Sequence, residues 1–474
     1  MAEVLNDIVT NLKRGWIFEV VFASIIGILI ATNYYFAILM LGAIFAVVIS
    51  IQHPLRVLFL FFLILPFSGH EWLLQPLFSV PGAKITNLLG LYIIFLAVLN
   101  YRSSGRMPRR SIAFTFLYTI LFTVAIYRSL DYLHLINRMN IEPLSVERYW
   151  LSDWMRQIIY FLPFIIILKY ANTKNSVRFI FNSISVSTTC IALYILYLYF
   201  MEVPDRLNID VAADLYGKML GLHRNQIATF FILGFPLTLS RFFLKKNIVN
   251  CISVAIVIAA TGFCFSRTAY ATVIGSFILY LAISNRKNYL PVFLILSIIA
   301  GSVISTTVII ERASKGLRSG DASEISAGRT DQIWLPLIKE YAGNSKLLLL
   351  GQGRYAMLNT ESHKKGIAQD FVMHPHNMYI EQVLDAGLLG LGIIGWFIIG
   401  TLIPAFGVWK VSIQSPSREY YCGGLVSVIA YLVAGMAGLS LFPLVENSFF
   451  WASLATLIVI LQQLKSEEAD NNEG

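Results

Sequence analysis

Arg224, Arg267 and the run His374-Pro375-His376-Asn377 each stand at the opening of an apolar stretch long enough to be a helix. A helix N-terminus presents unpaired N–H groups and a partial positive charge, so it favours an anion. Arginine at two such ends stacks positive on positive, which is unfavourable until an anion arrives. Phosphate or pyrophosphate suits that role, because a guanidinium binds it through two parallel hydrogen bonds. Taken singly, each arginine also fits a cation snorkelling to lipid headgroups. A histidine beside such an anion titrates in the range of a general base, which singles out His376. Asn377 is placed to cap the helix that follows it. Glu381 and Asp385, one turn apart on that helix, can orient His376, bind hydroxyl groups or complement the helix dipole.

A metal centre is the rival reading of the same segment, because His363, Asp370, His374 and His376 lie close in sequence. No HExxH or comparable ligand spacing is present, so we expect no metal and no other cofactor. His53, His70 and His134 read as ordinary interface residues.

The elements that must position these groups follow from composition. The chain has 474 residues, 57% of them hydrophobic and 13% charged, with a mean hydropathy of +0.68. A soluble domain cannot hide that much apolar surface, so lipid must solvate most of it. A bilayer core about 30 Å thick takes roughly 20 apolar residues per helix, which gives about fourteen candidate spans. They open near Trp16, Tyr35, Val57, Ile85, Ser111, Trp154, Val177, Arg224, Ile248, Thr268, Tyr289, Met378, Tyr420 and Val445. The expected fold is an all-α polytopic integral membrane protein, with about 12–14 transmembrane helices and one long periplasmic loop containing short helices. The first apolar run follows Lys13-Arg14 and leads straight into a second, so no cleaved signal peptide is expected.

Short loops carrying Lys13, Arg14, Arg109, Arg110, Lys245, Lys246, Arg286 and Lys287 fall on one side. The positive-inside rule puts these loops and both termini in the cytoplasm, and the long polar excursion outside. The net charge of +9 then reflects anchoring to anionic lipid rather than nucleic-acid binding. The four cysteines, Cys190, Cys251, Cys264 and Cys422, sit in or beside apolar spans and indicate neither a disulfide framework nor a CxxC metal site. No internal repeat is visible.

The chain accordingly divides into N-terminal spans (1–204), spans carrying the arginines (205–310), a catalytic loop (311–377), C-terminal spans (378–464) and an acidic tail (465–474) expected to be disordered. Within the loop, Thr330 to Tyr341 reads as a helix stopped by Gly343-Asn344. Gly351-Gln352-Gly353 reads as a turn, and a lone GxG of this kind is weak as a nucleotide signature.

Several of these motifs occur together: Ser266-Arg267 opening a span, Gly328-Arg329 with Trp334, Gly351-Gln352-Gly353, and His376-Asn377 followed by Asp385-Ala386-Gly387-Leu388-Leu389-Gly390. Over about residues 205–405 the chain resembles the O-antigen ligase and polymerase superfamily; the N-terminal half agrees only in being polytopic. The resemblance implies an inverting, metal-independent glycosyltransferase of the bacterial inner membrane. Its donor would be an undecaprenyl-pyrophosphate-linked glycan, and its acceptor lipid A-core in a ligase or a second lipid-linked repeat unit in a polymerase. By the same resemblance His376 corresponds to the essential loop histidine and Arg224 and Arg267 to the arginines holding pyrophosphate. Arg329 would be a further contact, and no role is implied for His374. A flippase for the same glycans should carry charges near the bilayer midplane rather than at helix ends. A metal-dependent transferase should carry a carboxylate-rich site on a larger soluble domain.

Overall fold

The computed structural model describes residues 54–70, 73, 84–99, 105, 107–139, 143–204, 208–289, 328–367, 373–409, 415 and 417–473. The chain divides into two units, Met1–Val57 and Leu58–Gly474. Of the first, only Pro54–Val57 are described. The expected spans near Trp16 and Tyr35, the span following Tyr289, and loop residues 311–327 and 368–372 (Asp370 among them) lie outside the described residues.

The described elements are helical throughout: α1 Pro54–Ile64, α2 Ile85–Leu99, α3 Arg109–Ser129, α4 Leu133–Met139, α5 Val146–Tyr170, α6 Lys174–Tyr197, α7 Ile209–Leu220, α8 Arg224–Leu244, α9 Ile248–Phe263, α10 Arg267–Ile283, α11 Leu335–Ala342, α12 Ser345–Leu350, α13 Glu361–Lys364, α14 Met378–Gly407, α15 Arg418–Ala434 and α16 Ser448–Glu473. Among the described residues, seven helices are long and apolar enough to cross a bilayer, and shorter apolar helices accompany them. This is a multi-pass, all-α membrane protein.

Helix α8 is the central post, packed on α15, α6, α9 and α10. The three-residue link 245–247 turns α8 back into α9, and 264–266 turns α9 into α10. Helices α8 and α10 therefore run parallel, and Arg224 and Arg267 open them at the same end of the bundle. The Tyr216 hydroxyl of α7 donates to Phe263 O at 3.1 Å and ties the approach to α8 to the end of α9. At the opposite end Glu419 gathers three helices. Its carboxylate receives Arg286 at 2.6 and 3.2 Å and the Tyr280 hydroxyl at 2.6 Å, while its carbonyl receives Ser240. A second contact surface is aromatic: Phe114 stacks on Phe397 at 3.9 Å, with Phe161, Phe164 and Trp451 around them.

Helix α14 is not continuous. Gly387 takes φ 71° and ψ −177°, a backbone region that only glycine adopts readily. The Leu384 and Asp385 carbonyls consequently turn away from their own helix. They accept instead from Gln352 N at 2.8 Å and Gly353 N at 2.9 Å, and Leu384 O also takes the Tyr341 hydroxyl at 3.1 Å. The stretch after the break, about 20 residues at 1.5 Å each, matches a bilayer core of about 30 Å. The stretch before it, Met378 to Ala386, belongs to the loop. Its Leu384 joins a small core of Ile333, Leu337, Tyr341, Ala356 and Met357. The Gly351-Gln352-Gly353 turn and the Asp385-Ala386-Gly387 motif are thus two halves of one joint.

The loop helix begins as the sequence predicts, but Thr330–Trp334 forms a π-helical turn before α11. The tail departs from expectation: α16 runs on to Glu473 where disorder was expected from Lys465. Lys465, Glu467, Glu468 and Ala469 favour the helix, and Glu467 holds Lys174 at 2.6 Å and Ser415 at 3.1 Å.

A β-carbon at Gly387 would lie 2.1 Å from Leu349 O. Gly387→Ala is therefore expected to destabilise the protein by about 2 kcal/mol or more, read as a lowered melting temperature in detergent. Gly392→Ala is the control, since a β-carbon there meets nothing within 4 Å. Equal melting of the two variants would contradict the joint.

Candidate functional site

His376 has a left-handed backbone, φ 55°, a conformation that costs a residue with a β-carbon about 1–2 kcal/mol. Anchors on both sides impose it. Pro375 O accepts from Trp334 Nε1 at 2.7 Å. Asn377 caps α14, its Oδ1 accepting from Tyr379 N at 3.0 Å and Ile380 N at 3.2 Å. The imidazole rests against the turn after α15, where a β-carbon at Gly438 would come within 3.4 Å of Nδ1. Arg329 reaches the same turn, donating from Nη1 to Ala437 O at 3.2 Å. The π-helical turn thus places Arg329 at one end and Trp334 at the other, with the His376 segment between them.

His374 packs edge-on against His376, ring centroids 4.2 Å apart. A further imidazole arrives from α8. His223 is the N-cap: its Nδ1 accepts from Asn225 N at 3.3 Å, and its own N–H donates to Gln226 Oε1 at 2.8 Å. This is a capping box with imidazole in place of the usual hydroxyl. Because Nδ1 accepts, the neutral ring carries its proton on Nε2. Gln226 Nε2 in turn donates to Glu446 at 3.2 Å. Arg224, next in sequence, stands 4.0 Å from Asp210.

These groups act on one another's charge. Burial pushes the His376 pKa down to about 3, with His374, Arg329 and His223 adding positive surroundings. Burial likewise lowers His223, helped by Arg224, His374 and Arg329. Burial lowers His374 too; Glu381 opposes it, while Arg354 and Arg329 reinforce it. His223, Arg329, His374 and His376 thus act together to lower the proton affinity of the imidazoles, and Arg224 adds to this at His223. Arg267 begins α10 at the same end of the bundle and is placed there by topology.

Glu381 and Asp385 share a partner that the sequence did not suggest. Both hold Arg354, a residue 3% exposed, whose Nη1 donates at 2.6 Å to Glu381 and 2.8 Å to Asp385. Burial alone would lower the Arg354 pKa, but Glu381, Tyr355 and Asp385 outweigh it and hold it well above its ordinary value. Asp385 Oδ1 also accepts from Ala356 N at 3.0 Å. Arg354 N donates to Ala125 O at 2.8 Å, and the Tyr132 hydroxyl donates to Arg354 O at 2.7 Å, joining the loop to α3. Sequence reasoning missed both Arg354 and His223. The available signals were Arg354 directly after the GxG turn, and Gln226 three residues after His223.

Among the described residues no three His, Cys, Asp or Glu side chains converge on a point where a metal could sit. All four cysteines are free thiols.

In ligand-free protein, ¹³C-labelled His376 should stay neutral from pH 8 down to about 5 when followed by NMR. A midpoint near 6.5 would contradict the arrangement. The sign for stability follows. The folded pKa values of His223, His374 and His376 lie below the unfolded ones, so their contribution is complete above the ordinary histidine range and is lost as pH falls below it. Melting temperature should therefore drop on acidification from pH 7 to 5.

Comparison with known families finds one match, over residues 251–397, to the family described as O-antigen ligase. The matched stretch holds most of α9, all of α10, and Arg329, Arg354 and His376, whereas His223 and Arg224 lie before it. No curated protein matches the chain. The residues that build the joint at Gly387, together with Arg329, His374 and His376, thus fall inside the segment that is similar to the O-antigen ligase family.

Proposed function

We propose that the chain is a glycosyltransferase that moves an undecaprenyl-pyrophosphate-linked glycan onto a sugar hydroxyl at the periplasmic face of the inner membrane, acting as an O-antigen ligase. The observation that carries this reading is the His376 imidazole, packed 4.2 Å from His374 on the same turn after α15 that Arg329 reaches. An anionic leaving group and a base are needed together in such a transfer. Arg224, Arg267 and Arg329 neutralise the pyrophosphate, and His376 accepts the proton of the attacking hydroxyl. The acceptor oxygen forms a bond to the anomeric carbon from the face opposite the pyrophosphate, so the configuration inverts. The C–O bond to phosphate breaks, and undecaprenyl pyrophosphate leaves with the electron pair.

Charge linkage supports the pairing. A ligand-free His376 near pKa 3 is a weak base, but a bound pyrophosphate adds negative charge beside it and raises its proton affinity. Arginine neutralisation of the leaving group also removes the need for a divalent ion. Polymerisation of carrier-linked repeat units uses the same donor chemistry and is the second reading, since the family match covers both outcomes.

His376→Ala should abolish transfer with normal protein level, His374→Ala should be milder, and excess chelator should leave activity intact. Arg224→Ala and Arg267→Ala should each abolish transfer, and lysine at either position should restore it only in part, because a point charge lacks the guanidinium fork. Near-normal transfer by both alanine variants would remove the pyrophosphate assignment, and activity lost to chelator and restored by one metal would remove the mechanism. In a deletion strain, loss of all attached chains identifies a ligase and a single attached repeat identifies a polymerase.

Orientation has its own check. Lys365→Cys, on an exposed loop side chain, should react with an impermeant thiol reagent in intact spheroplasts, while Lys245→Cys in the α8–α9 turn should not. The reverse pattern would put the site on the wrong side of the membrane.

A further inference from the structure

The first half of α5 turns polar side chains inward. Tyr149, Asp153, Gln157 and Tyr160 recur at helical spacing and are all buried. A polar stripe facing the interior of a membrane helix marks a substrate or ion path more often than a packing surface. The Tyr149 hydroxyl is satisfied by Ser129 at 2.7 Å. Its two successors are not satisfied. Asp153 Oδ2 and Gln157 Oε1 are buried acceptors that no donor among the described residues reaches, on residues 7% and 3% exposed. Arg156 approaches the other Asp153 oxygen at 3.6 Å, a charge contact longer than a hydrogen bond. Unmet buried acceptors are rare in folded proteins, and two on successive turns of one face call for a ligand rich in donors.

The stripe borders the site already described. Ser129, which holds the Tyr149 hydroxyl, lies against the loop turn, where a β-carbon at Gly353 would come 2.8 Å from Ser129 N. Arg354 follows Gly353, lies over the Tyr355 ring at 4.5 Å and donates to Glu381, whose own N–H donates to Asn377 O beside His376. A line of polar groups thus leads from the His376 segment past Arg354 and Gly353 to the stripe that carries Asp153 and Gln157. The loose ends along it are acceptors, so an anion is disfavoured and neutral O–H groups are favoured. Tyr355 and Tyr160 add aromatic faces of the kind that lie against sugar rings.

We propose that Asp153 and Gln157 form a saccharide subsite, accepting hydroxyl hydrogens from a sugar held beside His376. This inference rests on the glycosyl-transfer reading above. The chemistry is the same whether the sugar belongs to the donor glycan or to the acceptor, and kinetics separate the two.

The test uses the full chain in nanodiscs, with the carrier-linked glycan and the acceptor purified from the bacterium that makes it. Asp153→Asn and Gln157→Leu should each raise the KM of one substrate by about tenfold, the loss expected when one good hydrogen bond is removed. Values of kcat should stay within about threefold. A rise in donor KM places the donor sugar there, and a rise in acceptor KM the acceptor sugar. Binding of sugar-free undecaprenyl pyrophosphate should be unchanged in both variants and lost in Arg224→Ala. Unchanged KM for both substrates in well-folded variants overturns the subsite. So does a parallel loss of undecaprenyl pyrophosphate binding, which would mark Asp153 and Gln157 as structural. If Asp153→Asn does not fold, Gln157→Leu decides the matter alone. Failure of the unaltered protein to bind undecaprenyl pyrophosphate would instead sink the glycosyl-transfer reading, whatever the variants do.

Discussion

The break in α14 at Gly387 is the constraint on which the site depends. Two carbonyls released from the helix take their hydrogen bonds from the Gly351-Gln352-Gly353 turn, and Arg354, next along, is clamped by Glu381 and Asp385 of the same helix. A buried guanidinium between two buried carboxylates is stable only with all three in place; losing the cation would strand two charges at a cost of about 3–5 kcal/mol. The clamp therefore fixes the orientation of the first turns of α14, and through the Asn377 cap it fixes His376.

Around that fixed point the structure assembles positive charge. The π-helical turn brings Arg329 to the turn after α15, and the capping box at α8 brings His223 and Arg224. Parallel running of α8 and α10 puts Arg267 at the same end. Neutral imidazoles among fixed cations make the cluster receptive to an anion while keeping a proton acceptor in reach.

Much of this was legible in the sequence, for local reasons. Apolar runs of membrane length announced the helices, and Asn377 before one of them announced a cap; both are properties of neighbouring residues. Arg224, Arg329 and His376 could be grouped because each stands at a helix start or in the loop between helices. What resisted reading was long-range. Glu381 and Asp385 looked like candidates for touching a ligand because their partner, Arg354, lies a full loop away in sequence. His223 was passed over because an imidazole in a capping box does not resemble the usual serine or threonine. The acidic tail read as disordered by composition, yet Glu467 finds Lys174 across the fold. The stripe on α5 is invisible in sequence, because its meaning rests on which face turns inward and on donors that fail to arrive.

The low pKa of His376 has a consequence for turnover. In the proposed transfer the imidazole ends each cycle holding the proton of the acceptor hydroxyl. That proton is stable there only while pyrophosphate offsets the surrounding cations. As the carrier departs, its counter-charge goes with it, and an imidazolium hemmed in by Arg329, His223 and His374 becomes strongly acidic. Product release and regeneration of the base are then one event, and an empty site cannot rest in its spent form.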